Sequence, residues 1–499
     1  VEDNGTGSIR LISEDRLVKP VERIAKNTIA LFLSNAFILA LSFIYTMYVA
    51  RYLGVEGYGI ISTALAFTGI FGILTDLGLT QLTVRDIARD KGMVNLYLVN
   101  IALIKLILVV ITLALLVATV TLMGYSSTSI RVVFVIALSV GVAAFTGLIN
   151  SIFQAYERMQ FVSIGNSINS IALLCAALFA ISRGFDVVNF AFVYLFANLA
   201  TFVYSFAVLV RDFFKPKSQI DLSFWGPVLR EALPFGLTSV FITIYYWTDS
   251  VMLSYMKSYE VVGLYNAAYR LMIVLLVVPG VLSMAIIPAM SKLYVNSKDM
   301  LRFTQQRSFK YLAVIGFPIG VGTTILSNEI ILLIFGEEYA RAAIALRILV
   351  WSSVCIFLSS SFSSLLRSSN GQMALLRITA LCAMENVILN LVAIPAYSYA
   401  GASVTTVITE FSVLVLFALV TLKDRYWEPA QTSALISKII IASLLMGCFV
   451  FALRFLSIFL LVPLGAAFYF AAAYILRIFD EDDKAIFYRI LRVKGEEKS

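Results

Sequence analysis

The sequence predicts an all-α polytopic membrane protein, and three observations carry that prediction. Of the 499 residues 60% are hydrophobic, with a mean hydropathy of +0.92, well beyond the composition of a soluble domain. Apolar runs of ~20 residues, the length that crosses a bilayer as a helix, recur along the whole chain. Positive residues gather in alternate links between those runs, as membrane insertion arranges them.

Taken in order, fourteen spans are expected. They run at about 27–49, 60–82, 96–122, 132–153, 161–182, 188–210, 232–256, 262–290, 309–333, 342–366, 374–395, 399–421, 433–453 and 456–478. The polar tail 1–25 mixes acids with Arg10, Arg16, Lys19 and Arg23 and does not read as a cleavable signal. The even-numbered links are basic, for instance Arg85, Arg89 and Lys91, or Lys292, Lys298, Arg302 and Arg307. The odd-numbered links are sparse in charge, with Arg51, Arg131, Arg183, Lys257, Arg341 and Arg454. This bias predicts that both termini face the cytoplasm. Lys484, Arg489, Arg492, Lys494 and Lys498 of the last tail fit the same side.

The basic link 211–231, with Lys215-Pro216 and Gly226-Pro227, separates two groups of six spans. The predicted organisation is a tail (1–25), a first lobe (26–210), the link (211–231), a second lobe (232–425), two appended spans (426–479) and a tail (480–499). Two groups of even size share one orientation, so a pseudo-twofold axis along the membrane normal is expected to relate them. A short echo accompanies this division. Leu53-Gly54-Val55-Glu56-Gly57-Tyr58-Gly59-Ile60 follows span 1, and Ser258-Tyr259-Glu260-Val261-Val262-Gly263-Leu264-Tyr265 follows span 7. Each has Gly three residues after Glu; either a repeated lobe or a recurring loop type accounts for it. Pro234, Pro279, Pro288 and Pro318, with Gly69, Gly72 and Gly78, are candidate bending points.

Composition also excludes functions. The chain has no histidine, which argues against zinc sites, His-based triads and haem ligation. Its four cysteines lie in apolar runs without paired spacing, so they read as buried apolar residues. The net charge of +8 sits at helix ends and does not point to nucleic acid. No nucleotide loop, paired catalytic carboxylates in an aqueous domain or metal cluster is visible, so the sequence does not read as an enzyme.

Function should rest on charge placed within oily helices, which costs roughly 2.5–3.5 kcal/mol per group on insertion scales. The hairpin 238–290 carries Asp249 and Arg270. Arg270 lies ~12 Å of helix rise into its span, with Asn266 one turn before it on the same face. It is expected to line a wet path for an anionic group, or else to pair with Asp249. Lys105 within span 3 either snorkels or offers a phosphate-attracting point charge. Arg51 near an outer helix end either extends a basic route or anchors that end. Asp249, Glu385 and Glu410 are candidates for coupling to Na+ or H+, or for structural neutralisation. Asp76 is expected to pair near its helix end, beside Arg85 and Arg89. A negative-inside potential favours an outward-moving anion by about 2.3 kcal/mol per charge per 100 mV.

These residues also carry a resemblance. Ala50-Arg51-Tyr52-Leu53-Gly54-Val55-Glu56-Gly57-Tyr58-Gly59 resembles the first outer link of the Wzx-type polysaccharide-biosynthesis flippases. Thr75-Asp76-Leu77-Gly78-Leu79 with Arg85-Asp86-Ile87-Ala88 resembles their second span and first inner link. Asp249-Ser250-Val251-Met252-Leu253, Glu260 to Gly263, and Ala268-Tyr269-Arg270-Leu271 are similar to the start of their second lobe. Ile287-Pro288-Ala289-Met290-Ser291 and Ile334-Phe335-Gly336-Glu337-Glu338-Tyr339 extend the likeness, which spans about residues 20–425. The superfamily also holds multidrug and toxin extrusion (MATE) transporters and lipid II flippases.

The resemblance implies a MATE-like two-lobed transporter working by alternating access. Its cargo would be an oligosaccharide on a polyprenyl or dolichyl (pyro)phosphate, moved to the outer leaflet of the cell membrane for surface polysaccharide or glycoprotein assembly. Implied partners are that lipid-linked oligosaccharide, membrane lipids and a glycan polymerase or glycosyltransferases, around a monomeric transporter. A cation-coupled drug extruder is the alternative, and would use the same lobes with an acidic cavity.

Overall fold

A computed structural model describes residues 6–423, 426–427, 429–481 and 483. Among the described residues the chain is helical, with no strand. The helices are α1 (Thr6–Gly72), α2 (Leu79–Arg89), α3 (Val94–Leu122), α4 (Ser127–Ala155), α5 (Met159–Ser182), α6 (Val187–Val208), α7 (Leu222–Met256) and α8 (Tyr259–Leu275). They continue as α9 (Val277–Asn296), α10 (Lys298–Ile325), α11 (Ser327–Phe335), α12 (Ala342–Ser368), α13 (Gln372–Lys423), α14 (Pro429–Ala452) and α15 (Ile458–Ile475). Among the described residues eleven stretches are long and apolar enough to cross a membrane, or twelve when the bent α7 is counted. The expected tail 1–25 is helical from Thr6 and continuous with α1.

Local chemistry sets the ends. Side chains of Ser126 and Asp186 accept from the backbone N–H of Ser129 and Asn189, capping α4 and α6. α3 and α5 stop at Gly124 and Gly184, at φ 76° and 67°. Tyr125 N then bonds back to Val120 O at 3.2 Å, and Phe185 N to Ala180 O at 3.1 Å. That six-to-one closure needs a left-handed residue, which glycine supplies at little cost.

Two helices are interrupted by one non-helical residue each: α1 at Gly54 (φ 67°) and α13 at Ser398 (φ 56°). α7 bends by 41° between Leu222–Leu237 and Ser239–Met256, just beyond Pro234, whose ring removes a backbone donor. The helix through Gly69 and Gly72 gives way to a 3-10 turn at Ile73–Thr75 and to left-handed Leu77 and Gly78. Pro288 and Pro318, by contrast, lie inside uninterrupted helices.

The chain divides into two compact units: Val1–Tyr52 with Phe67–Val240, and Leu53–Ala66 with Phe241–Ser499. The first has a core around Leu79, Ile101, Ile152, Phe153 and Leu209. The link expected over 211–231 is irregular only over 214–221, because Asp221 accepts from Ser223 N at 2.9 Å and α7 starts beside it. Asn100 pins that stretch: its amide oxygen accepts from Asp221 N at 2.8 Å and Trp225 Nε1 at 3.0 Å.

The second unit has its core around Phe362, Cys382, Ile439, Leu461 and Ala473. α14 and α15 pack on this unit. Past α15, Asp480 and Asp483 both accept from Arg307 Nη1 on α10, at 2.6 and 2.7 Å, with Lys310 beside them. Burial pushes the Asp480 carboxyl up, but hydrogen bonds from Arg307 and the Asp483 backbone, with the charge of Lys310, hold it well below the usual carboxylate range. Lys484 and the later tail cations, and Arg425, lie outside the described residues.

Candidate functional site

The second unit buries a polar network where three helices meet. On α7, Tyr245 and Asp249 are four residues apart and share a face. On α13, Asn386 and Asn390 do the same before Ser398, and Ala402, Thr406 and Glu410 after it. On α8, Tyr265 and Tyr269 repeat the spacing. These ladders form one continuous buried seam among the three helices.

Asp249 is the centre, at 6% exposure. Its Oδ2 accepts from Tyr265 Oη at 2.5 Å and Thr406 Oγ1 at 2.8 Å; its Oδ1 accepts from Asn390 Nδ2 at 2.6 Å. All of these donors are neutral. Among the described residues Asp249 makes no ion pair, so the expected option of pairing with Arg270 is corrected. The physical reason is geometric: Tyr265, one turn nearer the hairpin than Tyr269, takes the place opposite Asp249. Asn390 is fully buried, and its Oδ1 has no hydrogen-bond partner. An unmet buried amide oxygen costs about 1–3 kcal/mol. It lies on the same amide whose Nδ2 donates to Asp249, so the network keeps one acceptor unfilled next to a buried carboxylate.

Glu410, 7% exposed, accepts from Tyr245 Oη at 2.7 Å, one turn along α13 from Thr406. Glu385 faces elsewhere and accepts from Ser412 Oγ at 2.9 Å. The network therefore unites Asp249 and Glu410 in one region and leaves Glu385 at its margin. Tyr265 and Thr406 were not singled out by sequence; their i+4 relation to Tyr269 and Glu410 was the available signal.

Arg270 is half-buried on α8. Its charge acts on the hydroxyls of Tyr58 and Tyr246, and Tyr246 meets the Tyr269 ring edge-on at 5.7 Å. Asn266, one turn before it, is held by Ser250, with Nδ2 donating to Oγ at 3.1 Å and to Val262 O at 3.0 Å. Arg270 thus stands in an aromatic, partly exposed setting suited to a planar, bidentate anion partner.

The first unit treats its charges differently. Lys105 is 1% exposed and bonded to Asp76, with Thr80 Oγ1 at 3.3 Å. Thr80 N also donates to Asp76, at 3.2 Å. Asp76 does not use its expected neighbours: Arg85 turns instead to Asp86 and Glu231, at 2.7 and 2.6 Å. The break at 73–78 ends the helix beneath Asp76 and aims its carboxylate at α3. Arg51 is exposed at the end of the first apolar run.

A further feature of the second unit is an apolar cleft of about 370 Å³, lined by Leu275, Pro318, Gly322, Met446, Gly465 and Phe470 among others. It lies along α10, α14 and α15.

Residues 24–294 match the polysaccharide biosynthesis protein family. The chain belongs to that family. Residues 234–392 also match the MatE family. A probable low-salt glycan biosynthesis flippase, Agl15, of Haloferax volcanii is 23% identical over 431 residues, covering 85% of this chain and 89% of that protein. A putative O-antigen transporter of Shigella dysenteriae is 24% identical over 405 residues, covering 80% of this chain and all of that protein. In fold, the chain is similar to the lipid II flippase MurJ in an inward closed conformation. The TM-score is 0.74 at 15% identity, covering 93% of this chain and 99% of that one. This member of the polysaccharide biosynthesis family is thus a multi-span membrane protein with the flippase fold of its superfamily.

Proposed function

We propose that the chain carries a lipid-linked oligosaccharide from the inner to the outer leaflet of the cytoplasmic membrane. Arg270 engages the phosphate or pyrophosphate, and a monovalent cation or proton taken up at Asp249 drives the cycle. The observation that carries this reading is the pairing of opposite chemistries on one hairpin. Asp249 is buried among neutral donors beside an unmet amide oxygen, while Arg270 stands partly exposed among tyrosines. The relatives named for glycan flipping and O-antigen transport support the cargo class. Dividing α1 at Gly54 and α13 at Ser398 raises twelve spans to fourteen, an even number that keeps both termini on one side. The positive residues of the even-numbered links support a cytoplasmic side. The two sequence repeats are 26–210 and 232–425, of which Leu53–Ala66 packs with the second unit, as do α14 and α15. The apolar cleft along those two helices suits an isoprenoid chain while the glycan travels in water. Glycan polymerases or glycosyltransferases are the expected partners on either side.

Transport of a short polyprenyl-pyrophosphate-linked glycan in proteoliposomes, read as protection from an added glycosidase, tests this. Arg270→Ala should slow it by about tenfold or more, the effect of losing one buried charge contact of ~1.4 kcal/mol. Arg270→Lys should recover only part of it. Asp249→Asn should abolish the response to a sodium or a proton gradient; the gradient that drives the unaltered protein identifies the ion. Full glycan transport in folded Arg270→Ala would remove Arg270 from the site. Efflux of an organic cation without glycan transport would instead favour the extruder reading, which the MatE match at 234–392 keeps in view.

A further inference from the structure

The two echoed segments touch each other, and they do so reciprocally. Gly59 and Gly263 each stand three residues after a glutamate, Glu56 and Glu260. A Cβ on Gly59 would lie 1.8 Å from the carbonyl oxygen of Tyr259. A Cβ on Gly263 would lie 2.1 Å from the carbonyl oxygen of Val55. Tyr259 and Val55 are the residues just before those glutamates. Position for position, each segment offers its glycine to the other's carbonyl, as like surfaces do across a two-fold axis. Backbones this close are possible only where both side chains are absent.

The crossing is held from one side. Tyr339 donates from its hydroxyl to Gly54 O at 3.0 Å, and its ring meets Tyr58 at 6.3 Å. Arg341 pairs with Glu260 at 2.8 Å. Arg270 lies two turns along α8 from Gly263. Helical side chains lean toward the N-terminus, and the Arg270 charge accordingly acts on Tyr58, next to Gly59. The helix that supplies Gly59 also changes company: Leu53–Ala66 packs in the second unit, while the chain before and after it packs in the first. The crossing therefore lies wholly within the second unit.

We infer that the Gly59–Gly263 crossing is a clasp that shuts the end of the protein remote from its N-terminus. Tyr339 and Arg341 are its keepers, and its release exposes the seam that leads to Arg270. The clasp is independent of what the protein carries. Closure needs glycine at both positions, because any Cβ must push the two carbonyls away.

The test uses the full chain with Cys175, Cys355, Cys382 and Cys448 replaced by serine and a reporter Ser62→Cys. Ser62 lies one turn beyond Gly59 and is buried. A membrane-impermeant maleimide is applied from the side opposite the N-terminus. Gly59→Ala and Gly263→Ala should each raise the labelling rate by about tenfold or more, the shift that ~1.4 kcal/mol of population produces. The two effects should be alike. Gly57→Ala, whose Cβ would meet only the Leu53 side chain, should leave the rate unchanged. If folded Gly59→Ala and Gly263→Ala label like the parent, or only one of them responds, the clasp is wrong. Should neither alanine variant fold, Tyr339→Phe decides: it removes one hydroxyl, and labelling that does not rise above the parent rate overturns the inference.

Discussion

Replacing Asp76 with asparagine should harm the protein more than replacing Lys105 with methionine, although the two are partners. The Lys105 side chain is 1% exposed and that of Asp76 33%. Asp76→Asn leaves an ammonium group with no acid beside it and no route to water, the situation in which breaking a buried pair costs about 3–5 kcal/mol. Lys105→Met leaves a carboxylate that is a third exposed and still accepts from Thr80 N and its hydroxyl. Its cost should be nearer the ~1–3 kcal/mol of an imperfectly satisfied polar group. Removing both charges should restore much of the loss, because an apolar pair of similar volume is often neutral or better. Equilibrium unfolding of the purified protein in mixed micelles measures all three variants. Equal losses, or a greater loss in Lys105→Met, would refute the reasoning. The same variants bear on transport: if Lys105 serves only Asp76, the double variant should still carry cargo.

Other outcomes follow from the second unit. Thr406→Val removes one donor to the buried Asp249 carboxylate and should cost about 1–3 kcal/mol of stability, read by thermal unfolding. Tyr245→Phe strips Glu410 of its hydroxyl partner and should cost about 1–3 kcal/mol of stability, while Glu410→Gln, which can still accept from Tyr245, should cost less; thermal unfolding separates them. The contact between the chain after α15 and α10 should persist at mildly acidic pH. Asp480 titrates lower when folded than when unfolded, so its contribution is complete above the ordinary carboxylate value of about 4. That contribution is lost only as pH falls through the lower folded value. Hydrogen exchange of residues 476–481 as a function of pH reads this, and release near pH 6 would contradict it.

Much of the fold was legible because a bilayer imposes one length and one polarity on each span. The charges that break that polarity, Asp249, Arg270 and Glu410, stood out for the same reason. Their partners did not. Asp249 is met by Tyr265, Asn390 and Thr406, which lie 16 to 157 residues away along the chain, and spacing on one helix says nothing about which seam faces which. Asp76 shows the same limit: Arg85 and Arg89 were near in sequence, but the break at 73–78 turned the carboxylate toward Lys105, 29 residues on. The Glu-to-Gly echo was visible in the sequence, yet that the two copies touch each other depends on backbone approach, which no pattern of side chains encodes.

The lodging of Leu53–Ala66 within the second unit bears on how the molecule can be cut. Two separately expressed halves divided near Val240 would not be two finished bodies. The front half would display a helix whose neighbours were missing, and the rear half would carry a vacant slot between Tyr259 and Tyr339. Each fragment should be insoluble or quickly degraded alone and rescued by co-expression, with residues 53–66 inserting into the rear fragment as a natural complementation tag.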